Sequence, residues 1–369
     1  MLDPNQRLTP VGGEFSLRYH KKKFGTRPNS LAGKLHLVRS GRDALRAALS
    51  YFPNKSRIFV SAYTCDSVFA ALSMVPRVEV IVVDIDDSMY PSAAVLSAIV
   101  GSATKDFSTD IYLLGSVFGI EYPSSLLHFL EQFRDKNGTV IEDITHRIDL
   151  DSPPERDAWF CSIRKWFGTP GLGAFSVSLT ANKLGSDNLF HSRVDHLRLR
   201  NAGMRLLGYK RLQQFFRRPL IEYLRWTDRR LGLHRKISTP NLADVAAFGS
   251  IDWNSLLKTR HENKKALELL LEDVGGIRLV NSSTNADGSF PLTIWVDKDR
   301  DGLRSHLRAA NIFAPVLWPI AGSPDQNSAR AKVASEHILT LPLDQRYGIN
   351  EVNRCADLVK DFLAGSSNE

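Results

Sequence analysis

Cysteine is scarce in this chain: Cys65, Cys161 and Cys355 lie far apart and form no Cys-x-x-Cys pair. That spacing argues against a disulfide scaffold and against the usual zinc ligand sets, and it reads as three thiols packed in a reducing interior. The histidines show no ligand spacing either, so no metal is expected. No run approaches the ~18 apolar residues of a membrane-spanning helix. The first residues, Met1-Leu2-Asp3-Pro4-Asn5-Gln6, lack the basic start and apolar stretch of a signal peptide. Internal repeats and low-complexity segments are absent. The expectation is a cytoplasmic protein with a folded core. Its 369 residues, 43% hydrophobic and 24% charged, suffice for one large domain and a smaller one.

From residue 36 to roughly 180, short apolar runs alternate with helical stretches. Arg57–Val60, Val78–Val83, Ile111–Leu114 and Thr139–Ile141 read as strands; Asp43–Tyr51, Ser67–Met74 and Ser124–Phe133 read as helices. Near-continuous apolar strands separated by helices predict an α/β fold, with a mostly parallel sheet covered on both faces. Ser238-Thr239-Pro240-Asn241 reads as a linker. Beyond it come a helix over Trp253–Glu272, strands at Phe290–Val296 and near Ala314–Val316, a helix over Asp301–Asn311 and a last helix over Glu351–Leu363. The expected organisation is an arm over 1–35, a large domain over 36–237 and a small α+β domain over 238–369.

One stretch carries chemistry: Ser162-Ile163-Arg164-Lys165-Trp166-Phe167-Gly168-Thr169-Pro170-Gly171-Leu172-Gly173. It sets Lys165 between apolar neighbours, in a loop that runs into a glycine turn and the apolar run Ala174–Val177. Upstream, Thr139-Val140-Ile141-Glu142-Asp143 reads as a buried strand ending in an acid. A lysine and an acid so placed suit pyridoxal phosphate (PLP), whose aldehyde takes a lysine amine and whose ring nitrogen takes a carboxylate. A lone Lys-Trp pair is more often a surface lysine beside an aromatic, and only its company changes the odds. A carboxylate about 4 Å from a pyridinium interacts by roughly 4 kcal/mol at an effective dielectric near 20. That is about three pKa units before desolvation is subtracted, enough to hold the ring nitrogen protonated near neutral pH. Strand alternation sends Glu142 and Asp143 to opposite faces, so only one of them can address the ring. Ser40-Gly41-Arg42 opens a helix whose free N–H groups can face a phosphate, although Ser40 serves equally as an ordinary cap.

Several segments in order carry a resemblance. They are Val11-Gly12-Gly13-Glu14-Phe15, Ser40-Gly41-Arg42-Asp43, Ser61-Ala62-Tyr63-Thr64-Cys65 and Val82-Val83-Asp84-Ile85-Asp86, then Ser116-Val117-Phe118-Gly119, Glu142-Asp143-Ile144-Thr145-His146 and Ser162-Ile163-Arg164-Lys165-Trp166. Their order and spacing, continuing to Leu341–Gly348, resemble the DegT/StrS family of PLP-dependent enzymes, most of whose known members aminate nucleotide-linked keto-sugars. The resemblance implies a fold type I architecture, Lys165 as the Schiff-base lysine and Asp143 as partner of the pyridine nitrogen. It places His146 near the phenolic oxygen of the cofactor, and Ser162, Gly41 and Arg42 at the phosphate. Cys65 stands where many members carry an aromatic that stacks on the ring, which leaves stacking to Tyr63 or weakens it. Leu172-Gly173 replaces the usual Gly-Gly, and Ser162 sits closer to the lysine than is common. The chain thus resembles a divergent branch.

The expected activity is therefore an aminotransferase passing an amino group from glutamate to a keto acceptor, a nucleotide-linked keto-sugar, in polysaccharide or glycoconjugate biosynthesis. Both identities rest on the resemblance, as does a homodimer. The departures leave open a PLP enzyme that does not transaminate, such as a dehydratase, lyase or amine-condensing enzyme. A non-catalytic binding protein on the same fold is the third reading. Residues 191–236 form a basic helical segment whose charge exceeds the formal +8 of the whole chain. It reads first as a helical region packed on the body with a solvated basic face. Weak contact with an anionic membrane surface, at the inner face, or with the phosphates of the substrate is the other expectation. No nucleic-acid recognition module accompanies it.

Overall fold

The computed structural model describes residues 10–12, 35–101, 105–148, 155–178, 189–190, 219–220, 222–224, 226–227, 236–282, 290–320 and 328–366. Most of the expected N-terminal arm over 1–35 and nearly all of the basic segment 191–236 lie outside the described residues. The chain divides into two compact units. The smaller takes in residues up to Gly13, Val117–Glu121 and the chain from Asn254; the larger takes in Glu14–Ser116 and Tyr122–Trp253.

The first described strand, β1 (Val11–Gly12), belongs to the smaller unit. The larger unit is built on a sheet of β2 (His36–Val38), β3 (Arg57–Ser61), β4 (Glu79–Val83), β5 (Asp110–Gly115), β6 (Thr139–Asp143), β7 (Ala158–Cys161) and β8 (Gly173–Val177). In space the order is β2-β8-β7-β6-β5-β3-β4. The strands from β4 to β7 run parallel, and β8 is antiparallel to both β7 and β2. The helices are α1 (Gly41–Leu49), α2 (Asp66–Leu72), α3 (Ala93–Val100) and α4 (Ser124–Asp135). The mostly parallel α/β sheet follows from strands that are apolar on both faces. Ile58, Val60, Ile111, Leu113, Ile141 and Phe160 pack with Leu45 and Ala48 of α1 on one side. Phe59 and Tyr112, one residue out of step, meet Phe129 and Phe133 of α4 on the other.

Sequence reading missed β7 and α3. No helical stretch is read between Thr139–Ile141 and Ala158–Cys161 to set the latter off as the next strand, and α3 is nearly all apolar, so it has no polar face to mark its pitch. Two further short strands, β9 (Leu189–Phe190) and β10 (Ile237–Ser238), pair in parallel. Residues 238–241, read as a linker, close that pair and supply Asn241 as the N-cap of α5 (Leu242–Gly249).

Within the smaller unit, α6 (Trp253–Leu271) is followed by β11 (Ile277–Leu279), β12 (Thr293–Val296), α7 (Arg300–Ala309), β13 (Ile312–Phe313), α8 (Ala329–His337), β14 (Ile338–Thr340) and α9 (Ile349–Ser366). β11, β12 and β14 form an antiparallel sheet, and β1 pairs with β13. Leu267, Ile294, Leu303, Leu307, Leu339 and Val352 lie in its core. The strand expected near Ala314–Val316 is Ile312–Phe313 instead, ending ahead of Pro315, which has no N–H to give a ladder. The strand expected over Phe290–Val296 begins only at Thr293, after Pro291, for the same reason. Among the described residues no helix is long and apolar enough to cross a membrane.

Candidate active site

Parallel strands deliver their following loops to one edge of a sheet. Asp143, the last residue of β6, pairs in register with Gly115 of β5 and Phe160 of β7. Ser116, residues 144–148 and the Ser162–Lys165 loop therefore leave the sheet side by side. At the same edge Val38 pairs with Gly173, which brings the Ser40-Gly41-Arg42 turn to the start of β8. The topology thus gathers Gly41, Arg42, Asp143, His146, Ser162 and Lys165 at one sheet edge, while Tyr63 follows β3.

Glu142 and Asp143 divide as strand alternation requires. Glu142 is buried and accepts from Tyr122 Oη at 2.7 Å and from Arg156 Nε at 3.0 Å. Both its oxygens are thereby occupied on the far face. Asp143 is only half-buried, and its Oδ1 accepts from Thr145 N at 2.9 Å and from the Thr145 hydroxyl. Among the described residues nothing donates to its Oδ2. Burial pushes the Asp143 carboxyl above the usual carboxylate range, and the Thr145 hydrogen bonds and the Lys165 charge oppose that rise. An acid left in this balance gains from a cation placed against its open oxygen.

Lys165 closes a single 3₁₀ turn over Ile163–Lys165, with its N–H donating to Ser162 O at 3.2 Å. The next residue, Trp166, is buried and donates from Nε1 to Thr145 O at 2.8 Å, which pins the lysine loop to the loop after β6. Among the described residues the Lys165 amine makes no ion pair, yet its charge reaches both Asp143 and His146. His146 is buried; desolvation first, and the Lys165 charge second, push its imidazole well below the ordinary histidine range. Ser116 Oγ donates to Asp143 O at 2.6 Å and accepts from His146 N at 3.3 Å, fixing the turn between them.

Two glycines are required by close approach. A Cβ on Gly41 would stand 2.8 Å from Ser162 Cβ, and one on Gly173 would stand 2.2 Å from Ser40 O. The turn that opens α1, the start of β8 and Ser162 are consequently pressed together. Ser40 itself is occupied as the helix cap, accepting from Asp43 N at 3.1 Å and donating to Asp43 Oδ2 at 2.8 Å. Gly41, Arg42 and Ser162 lie beside it at this edge.

Tyr63 is fully buried and offers no accessible face. Cys65, the N-terminal boundary residue of α2, is half-buried with its Sγ 3.0 Å from Ser67 Oγ. Sequence reasoning gave no role to Thr145, Ser116 or Trp166. A threonine two residues after an aspartate is a turn signature, and it was the available signal for Thr145. The other two depend on pairings that only the folded sheet creates.

No protein-family model matches the chain, and no curated protein matches it. Among solved structures the chain is similar to Spr1654 from Streptococcus pneumoniae, described as a sugar aminotransferase. Against its PMP form the identity is 14%, with 98% of this chain and 100% of that one covered and a TM-score of 0.65. DesI, solved in the presence of its TDP-sugar product, gives 13% identity, coverage of 96% and 86%, and a TM-score of 0.62. A DegT DnrJ EryC1 StrS aminotransferase from Brucella abortus gives 14%, 89% and 85%, and 0.57. At such identities the likeness establishes the architecture, that of fold type I PLP enzymes.

Proposed function

We propose that this protein is a PLP-dependent aminotransferase. The observation that carries the reading is Asp143, with one carboxylate oxygen held by Thr145 and the other open, at the sheet edge that also presents Lys165. The group fits the residues present: Gly41 and Ser162 meet at the start of α1, a helix N-terminus of the kind that suits a phosphate, and the second oxygen of Asp143 is open to a ring nitrogen. When bound, PLP supplies an aldehyde and an electron-withdrawing ring.

The chain's own residues do the rest. Lys165 would hold the aldehyde and, when free, would be the group to carry a proton to or from the substrate carbon. Asp143 would keep the ring nitrogen charged. His146, buried and disfavouring a charge, would serve the phenolic side as a hydrogen-bonding group. Gly41, Arg42 and Ser162 bind the phosphate. Cys65, half-buried, leaves the ring face less tightly packed than an aromatic would.

Glutamate is proposed as amino donor and a nucleotide-linked keto-sugar as acceptor, within polysaccharide or glycoconjugate biosynthesis; the TDP-sugar product of DesI supports that substrate class. A cytoplasmic homodimer is proposed as the working form. The test is direct. Purified protein should take up PLP, absorb in the visible, and after borohydride yield a single labelled peptide containing Lys165. Glutamate should then convert the bound cofactor to pyridoxamine phosphate. Protein that stays colourless with no labelled Lys165 refutes the reading. Labelling without conversion by any amino donor leaves a PLP enzyme that does not transaminate.

A further inference from the structure

We infer that Thr145 is a positioning residue for the cofactor: its one hydroxyl couples the ring-facing acid Asp143 to the loop that carries Ser162 and Lys165. The inference rests on the PLP reading and deepens it.

The hydrogen bonds around Thr145 can be assigned completely. Ser162 N lies 3.1 Å from Thr145 Oγ1, and an amide N–H can only donate. The hydroxyl proton is therefore left for Asp143 Oδ1, which also receives Thr145 N–H at 2.9 Å. The Thr145 carbonyl accepts from Trp166 Nε1 at 2.8 Å, on the residue after Lys165. One buried residue thus touches the acid and the residues on both sides of the Ile163–Lys165 turn.

This arrangement orients the carboxylate. The terminal torsion of an aspartate is soft, so an unheld carboxyl samples many orientations. Two donors on Oδ1 remove that freedom and leave Oδ2 facing outward. Donors also favour the ionised form, against the burial that disfavours it. Valine keeps the shape and the β-branch of threonine but deletes the hydroxyl. It would free the carboxylate and leave Ser162 N–H without its acceptor. Serine retains the hydroxyl.

The experiment measures PLP dissociation constants and, separately, thermal melting of the unliganded protein. The variants are Thr145→Val, Thr145→Ser and Asp143→Asn, together with the Asp143→Asn/Thr145→Val double substitution. Thr145→Val should weaken PLP binding about tenfold, the equivalent of one charge-assisted hydrogen bond, and Thr145→Ser less than about threefold. In the Asp143→Asn background the valine should add less than about threefold, because its effect passes through the acid. An unchanged PLP affinity in Thr145→Val overturns the inference. So does a loss of the same factor with Asp143 and with Asn at that position, which marks a merely structural role. Should the valine variant fail to fold, Thr145→Ala carries the same comparison. Wild-type protein that takes up no PLP overturns the functional reading itself, whereas uptake without a Thr145 effect overturns only this inference.

Discussion

At the scale of single residues, His146 is the group of this site whose surroundings most clearly disfavour a charge. His146 is buried within reach of the Lys165 charge, and both factors hold its imidazole well below the ordinary value of 6.5. The unfolded chain binds a proton there near pH 6.5, while the folded chain resists it. Between those two values the unfolded state holds more protons, so stability rises with pH and is lost as pH falls through the folded value. A single such group costs at most about 1.4 kcal/mol per pH unit within that window. The carboxyls of Asp43, Glu142 and Asp143, held above their ordinary values by desolvation, pull in the opposite direction, so the informative quantity is a difference. Melting curves of wild type and His146→Gln between pH 7.5 and 4.5, a range set about the ordinary histidine value, should show the wild type losing more stability on acidification. Parallel profiles would mean that folding leaves the proton affinity of His146 unchanged, and a wild type that loses less stability than the variant would mean that the fold favours the charged ring; either result would end its proposed neutral role.

At the scale of elements, the junction of β2, α1 and β8 depends on glycine. A Cβ on Gly173 would enter the Ser40 carbonyl at 2.2 Å, and neither backbone can yield without moving the sheet edge. Gly173→Ala should therefore destabilise by about 1–3 kcal/mol, the usual cost of overpacking. Gly115→Ala, where nothing lies within 4 Å, should stay within about 0.5 kcal/mol. Urea midpoints at constant slope measure both, and equal losses would refute the close-approach account. This junction also shows what the sequence could and could not reveal. Apolar strands and the helices between them were legible, because a strand buried on two faces has few alternatives. That Glu142 and Asp143 face opposite ways was legible through alternation, and Glu142 is turned to Tyr122 and Arg156; the choice of Asp143 rested on the resemblance. β7, whose end launches the Lys165 loop, was not legible, because no helical stretch is read ahead of it to mark the next strand. Thr145 stood in plain view, yet its partners Ser162 and Trp166 are seventeen and twenty-one positions away and meet it only through β6–β7 pairing. The tight contact at Gly173 is likewise a property of register, since Val38 sits opposite it.

At the scale of the molecule, each unit has a core of its own: one around Ile58, Leu113 and Phe160, the other around Leu267, Ile294 and Leu339. Every residue proposed to hold PLP belongs to the larger unit. A ligand that binds only the folded form stabilises it by mass action, about 2.7 kcal/mol when present at a hundred times its dissociation constant. That free energy is felt first by the segments whose opening destroys the site. Hydrogen exchange with and without PLP should therefore show the largest gain in protection over 139–148 and 158–177, the strands and loops bearing Asp143, His146, Ser162 and Lys165. Peptides over 290–320 and 338–366 should gain less, and Lys165→Ala should diminish the gain throughout the larger unit. Protection that rises equally in both units, or that appears first in 290–320, would mean that binding is read out by the smaller unit as well, and the placement of the whole site on one sheet edge would have to be given up.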